Sequence, residues 1–197
     1  DQEIFSIDDM IKLFELKNIN NSPASFNQEK LEWINQSYIK TTGIEELVDN
    51  LRRHLNQLSI DLANGPDINE VVESLRERSK SLVDMAQSCV MFYNDFEDFE
   101  SGQASNVFNL ESKLILDDLY MKLKVLEHWN AENIHSVINN ICEIRGVGFG
   151  KVGQPFRLAL SGDGKAGSID ISAQFVGKKR TISRLKMAIE WINNLDS

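Results

Sequence analysis

The segment 71-VVESLRERSKSLVDMAQSCVMF-92 decides the fold class. Val71, Leu75, Arg78, Leu82, Met85, Cys89 and Phe92 follow one another at alternating steps of four and three, which lines one face of an α-helix and not of a strand. The spacing predicts one continuous helix over 71–92. Arg78 is the only charged member of the stripe. A guanidinium in that position must be paired, snorkel to water or open onto a ligand, and the pattern leaves all three readings standing.

Along the rest of the chain the same period of three and four recurs and strand signals are nearly absent, so the chain reads as all-α. Upstream, Gly65-Pro66-Asp67 interrupts the pattern, and Asp67 with Glu70 opens the central helix. Ser6 with Asp9 reads as a capping pair for a first helix ending near Lys17. A loop is expected over 18–26, and Asn27 caps a helix carrying Leu31, Ile34, Tyr38 and Ile39. Thr42-Gly43-Ile44-Glu45 reads as a further capping box.

Downstream, the acidic, polar run 94–105 is expected to separate two helical subdomains near Gly102. Leu116, Leu119, Leu123 and Leu126 mark another helix. Asn130 opens one that runs to Arg145, with Gly146 as its stop. Shorter helices are expected at about 151–160, 169–176 and 179–193. The last carries Ile182, Leu185, Ile189 and Ile192 on one face, with Lys179, Arg180, Ser183 and Lys186 off it.

The 197 residues carry 21 basic and 30 acidic side chains, net −9. Residues 1–144 are net −14 and residues 145–197 net +5, so the basic end favours a polyanion, with a solvated basic helix as the plain alternative. No stretch reaches the roughly 18 apolar residues of a membrane span. Cys89 and Cys142 lie far apart, which fits a reducing, cytoplasmic setting and core packing for both. The start Asp1-Gln2-Glu3-Ile4-Phe5, without an initiator methionine, reads as part of a longer polypeptide.

Catalytic and metal motifs are weak. Gly148-Phe149-Gly150-Lys151-Val152-Gly153 matches G-x-G-x-x-G, yet a helix and not a strand precedes it, so these glycines are read as an inter-helix turn. His54, His128 and His135 fall on separate helices or helix ends without metal-ligand spacing. The neighbouring pairs Asp8-Asp9, Glu45-Glu46 and Asp117-Asp118 point about 100° apart on a helix and read as solvated surface.

Four segments carry a specific resemblance. The stretches 22-SPASFNQEKLEWINQSYIK-40, 76-RERSKSL-82, 150-GKVGQPFRLALSG-162 and 176-VGKKRTISRL-185 are collinear with bacterial glutamyl-tRNA synthetases, which this chain resembles over nearly its whole length. The resemblance implies an all-helical, two-subdomain anticodon-binding cage. Residues 1–40 would end the stem-contact region, 41–102 form the first subdomain and 103–197 the second. The HIGH-type and KMSKS-type motifs of the catalytic Rossmann-type domain do not occur here. ATP, magnesium and glutamate are therefore expected on a part outside this chain, and no cofactor within it. The implied partner is the anticodon loop of tRNA(Glu), bound by a monomer.

Residue by residue, Arg78 falls where discriminating members carry an arginine against the third anticodon base. Arg157 matches a family arginine at the anticodon loop. The loop Gly164–Ile169 corresponds to the segment facing the first anticodon base, with Lys165, Ser168 and Ile169 as candidates. There the chain departs from the pattern: Ala166 and Gly167 stand where members commonly carry Ser/Thr-Pro, which removes a hydroxyl and a rigid ring. Lys178, Lys179 and Arg180 are candidates for phosphate attraction. The rival reading is a non-enzymatic helical scaffold in which Arg78 merely snorkels.

Overall fold

A computed structural model describes residues 2–19, 22–23 and 25–196. Among the described residues there are eleven α-helices and no strand. They are α1 (Ile7–Leu13), α2 (Gln28–Thr41), α3 (Ile44–Gln57), α4 (Ile68–Leu75), α5 (Leu82–Tyr93), α6 (Ser101–Val107), α7 (Leu110–Lys124), α8 (Ala131–Arg145), α9 (Phe149–Ser161), α10 (Ile169–Val176) and α11 (Lys178–Asn193). Part of the loop expected over 18–26 falls on Asn20, Asn21 and Ala24, which lie outside the described residues.

The stripe at 71–92 turns a corner, and the single helix expected there is two. The Leu75 carbonyl accepts from the amides of Arg78 and Ser79, both at 3.1 Å, and from Ser79 Oγ at 2.9 Å, which closes α4. Ser81 then accepts from the Asp84 amide at 3.1 Å and opens α5. Periodicity persists across the break because both helices turn Val71, Leu75, Met85, Cys89 and Phe92 into the same core. Local capping chemistry overrides the apparent continuity. Arg78 thus stands on the α4–α5 turn, not on a buried helical face.

Other boundaries follow their caps. Asn27, Asp67 and Asn130 each accept a backbone amide at the start of α2, α4 and α8. Gly146 ends α8 at φ 65°, a left-handed position that a side chain would strain. The capping box expected at Thr42 is absent. Thr42 Oγ1 donates back to the Tyr38 carbonyl at 2.7 Å, closing α2, and Gly43 opens α3 without a side-chain bond. The first helix is also shorter than expected, with a 3₁₀ turn at Leu16–Asn18 beyond it. Gly150 and Gly153 lie inside α9 and not in a turn; Gly153 lets the Ile169 and Phe149 side chains approach the helix.

α3, α4 and α5 pack on one another, and α7 to α11 form a second group with α6 resting on α9. The two groups meet where α5 packs on α10, with Phe92 edge-on to Phe175 at 5.8 Å. One apolar core runs through both, including Leu51, Met85, Leu116, Ile138, Phe156 and Leu185. Arg76 holds α2 to this body, donating from Nη2 to the Ile39 carbonyl at 3.2 Å and to the Thr42 carbonyl at 2.5 Å.

Candidate nucleic-acid interface

Two loops meet beside the α5–α10 contact. The first is the α4–α5 turn carrying Arg78. Its guanidinium is exposed, and its only hydrogen bond among the described residues is a long one, 3.4 Å from Nη2 to the Ser74 carbonyl. The second is the connection from α9 to α10. Gly162 ends α9 at φ 79°, with the Phe96 ring packed where a side chain would begin. Ser161 Oγ then accepts from the Gly164 amide at 2.8 Å and Asp163 from the Lys165 amide at 2.9 Å. Ala166 is buried. At Gly167 the two loops touch, for the Arg78 guanidinium occupies the space a Cβ on Gly167 would take.

The far end of this loop is locked by a carboxylate. Asp170 accepts from Ser168 Oγ at 2.5 Å and from the Ile171 amide at 2.9 Å, and lies 3.0 Å from His135 Nδ1. Partial burial pushes the Asp170 carboxyl up, but Ser168, the Ile171 amide and His135 together hold it below its ordinary value of 3.8. Ser168 is exposed, with its hydroxyl proton committed to Asp170, whereas Ile169 is buried. At 1% exposure its side chain belongs to the core and packs beside Gly153, which leaves its backbone as the part that can face a base. Burial won over position, because the first residue of α10 faces inward.

The cations divide sharply. Arg157 is half-buried on α9, and its guanidinium has no hydrogen-bond or ion-pair partner among the described residues. Lys165 is 85% exposed and only loosely paired with Asp163 at 3.5 Å. Lys179 is exposed. By contrast Lys178 donates to the Leu126 carbonyl at 2.6 Å. Arg180 spends all three of its donor nitrogens inside the protein, on Asp95 at 2.8 Å and on the Phe92 and Asn94 carbonyls at 2.6 Å. The basic run is therefore not a uniform phosphate patch.

Arg184 was not singled out by the sequence, yet it is the most deeply engaged cation. It is 4% exposed. Nη1 donates to the Leu160 carbonyl at 2.5 Å, and Nη2 to Met91, Asn94 and Asp95 at 3.0, 2.9 and 3.1 Å. Its guanidinium also lies 5.0 Å from the Phe96 ring centre. Burial, then the adjacent charge of Arg180, pulls its pKa down to about 10, so it stays cationic at neutral pH. Asp118, expected to be solvated, likewise has a partner, Arg145 Nε at 2.5 Å.

Asp95 is the acidic member of this clamp. Partial burial pushes its carboxyl up, but hydrogen bonds and charge from Arg180 and Arg184 outweigh that and hold it below 3.8. A depressed carboxylate adds stability above its unfolded pKa, and that contribution is lost as pH falls through the folded value. Asp95 and Asp170 are therefore expected to contribute stability that is lost in acid. Melting midpoints are expected to fall from about pH 5 downward, and a D95N/D170N double variant to show a shallower fall. Parallel profiles for the two proteins would refute this assignment.

A groove of about 640 Å³ adjoins the loops, between the end of α5 and the end of α9. Asp84, Asp95, Asp98, Glu100 and Asp163 line it, with Lys165 at its rim, so it repels phosphate. Arg78, Gly167 and Ser168 do not line it. No group of three His, Cys, Asp or Glu side chains placed to hold a metal occurs among the described residues.

The described residues form an all-helical body with Arg78 exposed beside the 164–169 loop. Residues 46–189 match the family described as the anticodon binding domain, and the chain belongs to that family. It is 52% identical over 190 residues to the glutamate–tRNA ligase of Ruthia magnifica subsp. Calyptogena magnifica and 50% identical over 190 residues to that of Vesicomyosocius okutanii. The alignments cover 96% of this chain but 41% of each relative. Among solved structures it is similar to a glutamate tRNA ligase from Elizabethkingia meningosepticum, with a TM-score of 0.83 and 28% identity over 97% of this chain and 38% of that one. The glutamate-tRNA synthetase of Elizabethkingia anophelis superimposes with a TM-score of 0.76 at 28% identity, over 96% of this chain and 37% of that one. The chain thus spans about two-fifths of the length of these proteins.

Proposed function

We propose that this chain is the anticodon-reading part of a glutamate–tRNA ligase, acting as a monomer in the cytoplasm on the anticodon loop of tRNA(Glu). ATP, magnesium and glutamate are handled by a part of the ligase outside this chain. The observation that carries the reading is the Arg78 fork held at the surface beside the 164–169 loop, within an anticodon-binding family member. An unstacked cytosine offers adjacent N3 and O2 acceptors on its Watson–Crick edge, and a planar guanidinium donates to both. Guanine presents donors there, so donors would face donors.

Affinity comes from Arg157, Lys165 and Lys179, whose charges are free or loosely held, with the Ser168 hydroxyl oxygen left as an acceptor. Lys178 and Arg180 act by holding the fold. Two subdomains carry the two loops, their boundary near Gly102 falling at the start of α6, with the stem-contact region ending near residue 40. Fluorescently labelled tRNA(Glu) and an unrelated tRNA, titrated with the chain at moderate salt, test the proposal. Tighter binding of tRNA(Glu) by about tenfold is expected, with a shared weakening as salt rises. Equal binding of both tRNAs would leave only a charged helical surface.

A further inference from the structure

Arg78 and Gly167 lie 89 positions apart in sequence, on loops of the two helical groups, yet the guanidinium rests directly on the glycine. Nη1, Cζ and Nη2 all lie closer to the Cβ position of residue 167 than a real side chain tolerates. Gly167 does not owe its identity to backbone geometry. Its φ is outside the left-handed region, unlike those of Gly162 and Gly164 on the same loop, so an alanine fits its backbone. What an alanine cannot do is coexist with the present position of the arginine.

The other restraints on Arg78 are slight. Its side chain is exposed, no carboxylate is paired with it among the described residues, and its one hydrogen bond is 3.4 Å long. The flat face at Gly167 is therefore the main element that chooses among the rotamers of a long, flexible side chain. A seated fork is pre-organised for two parallel hydrogen bonds, and an unseated one loses rotamer freedom on binding.

We infer that Gly167 is a specificity-determining residue for the base read by Arg78: its missing side chain seats the guanidinium and couples the 164–169 loop to third-base selection. The inference rests on the proposed role of Arg78 and deepens it. A substitution at a position facing one base should alter the reading of another.

The test uses tRNA(Glu) transcripts carrying C or G at the third anticodon position, and a second pair differing at the first, bound to wild-type chain, G167A, R78A and the double variant. Wild type is expected to prefer C at the third position by roughly 5- to 150-fold, and G167A to lose most of that preference while keeping its first-position preference. R78A/G167A should then discriminate no worse than R78A alone. Because the backbone at 167 accepts alanine, G167A should melt like wild type. The inference is overturned if G167A retains the third-position preference, or if the two single losses multiply in the double variant, or if only first-position preference moves. Should R78A itself leave the third-position preference intact, the role given to Arg78 has failed and the coupling with it. That outcome differs from one in which R78A discriminates poorly and G167A normally.

Discussion

Replacing Arg184 by alanine is expected to lower the unfolding free energy by about 2–4 kcal/mol, because several carbonyls lose a charged donor while the carboxylate partner, 71% exposed, stays hydrated. The carbonyls of Leu160, Met91 and Asn94 each lose a donor at once, and Asp95 keeps only Arg180. A buried acceptor without a partner retains its full desolvation cost, and the space beside Phe96 is left unfilled. Arg180 cannot take over, since its own nitrogens already serve Asp95, Phe92 and Asn94. Lysine should recover only part of the loss, because one ammonium cannot reach acceptors on both α5 and α9 as a planar fork does. Urea unfolding of R184A and R184K checks this. A loss for R184A below about 1 kcal/mol, the scale of a single ordinary hydrogen bond, would mean that the clamp does not hold the two helical groups together.

Substitution of Arg78 has the opposite profile. R78Q is expected to leave stability nearly unchanged, because the side chain is exposed and makes one long hydrogen bond. It should nonetheless reduce discrimination between C and G at the third anticodon position by about 1–3 kcal/mol, the worth of a well-formed bidentate base contact. That corresponds to roughly 5- to 150-fold in relative affinity. R78K separates charge from shape. It keeps the attraction to the anticodon loop but loses the fork, so overall affinity should fall little while most of the discrimination disappears. Competition binding with the two transcripts provides the measurement. If R78K discriminates as well as wild type, the selectivity comes from charge placement and not from paired donors.

These two arginines show how the sequence can be read and where it misleads. Arg78 drew notice for standing on an apolar stripe, and the stripe proved to be two helices sharing a core, with the arginine at their corner. The signal for that corner was present in Ser81-x-x-Asp84, an ordinary N-cap pattern that periodicity masked. Arg184 drew no notice, since it is one more basic residue on a basic helix. Lys178 and Arg180 look like phosphate ligands by composition, yet their donors end on Leu126, Phe92, Asn94 and Asp95. Ile169 lies in the expected loop but turns into the core. Charge and position in sequence do not reveal whether a side chain faces solvent or a partner.

The all-helical class, most helix boundaries and the caps at Asn27, Asp67, Asn130 and Gly146 were determined by the sequence alone, because each depends on groups within about one helical turn. The net charge of −9 likewise resolves into unlike halves without any coordinates. Only the tertiary structure decided that Arg184 and Arg180 bind the end of α5, and that Arg78 sits on Gly167. Their acceptors and neighbours are 24 to 93 residues away in sequence, so no local pattern encodes the pairing. Which cations remain free for a ligand is settled only after the fold has satisfied its own buried carbonyls.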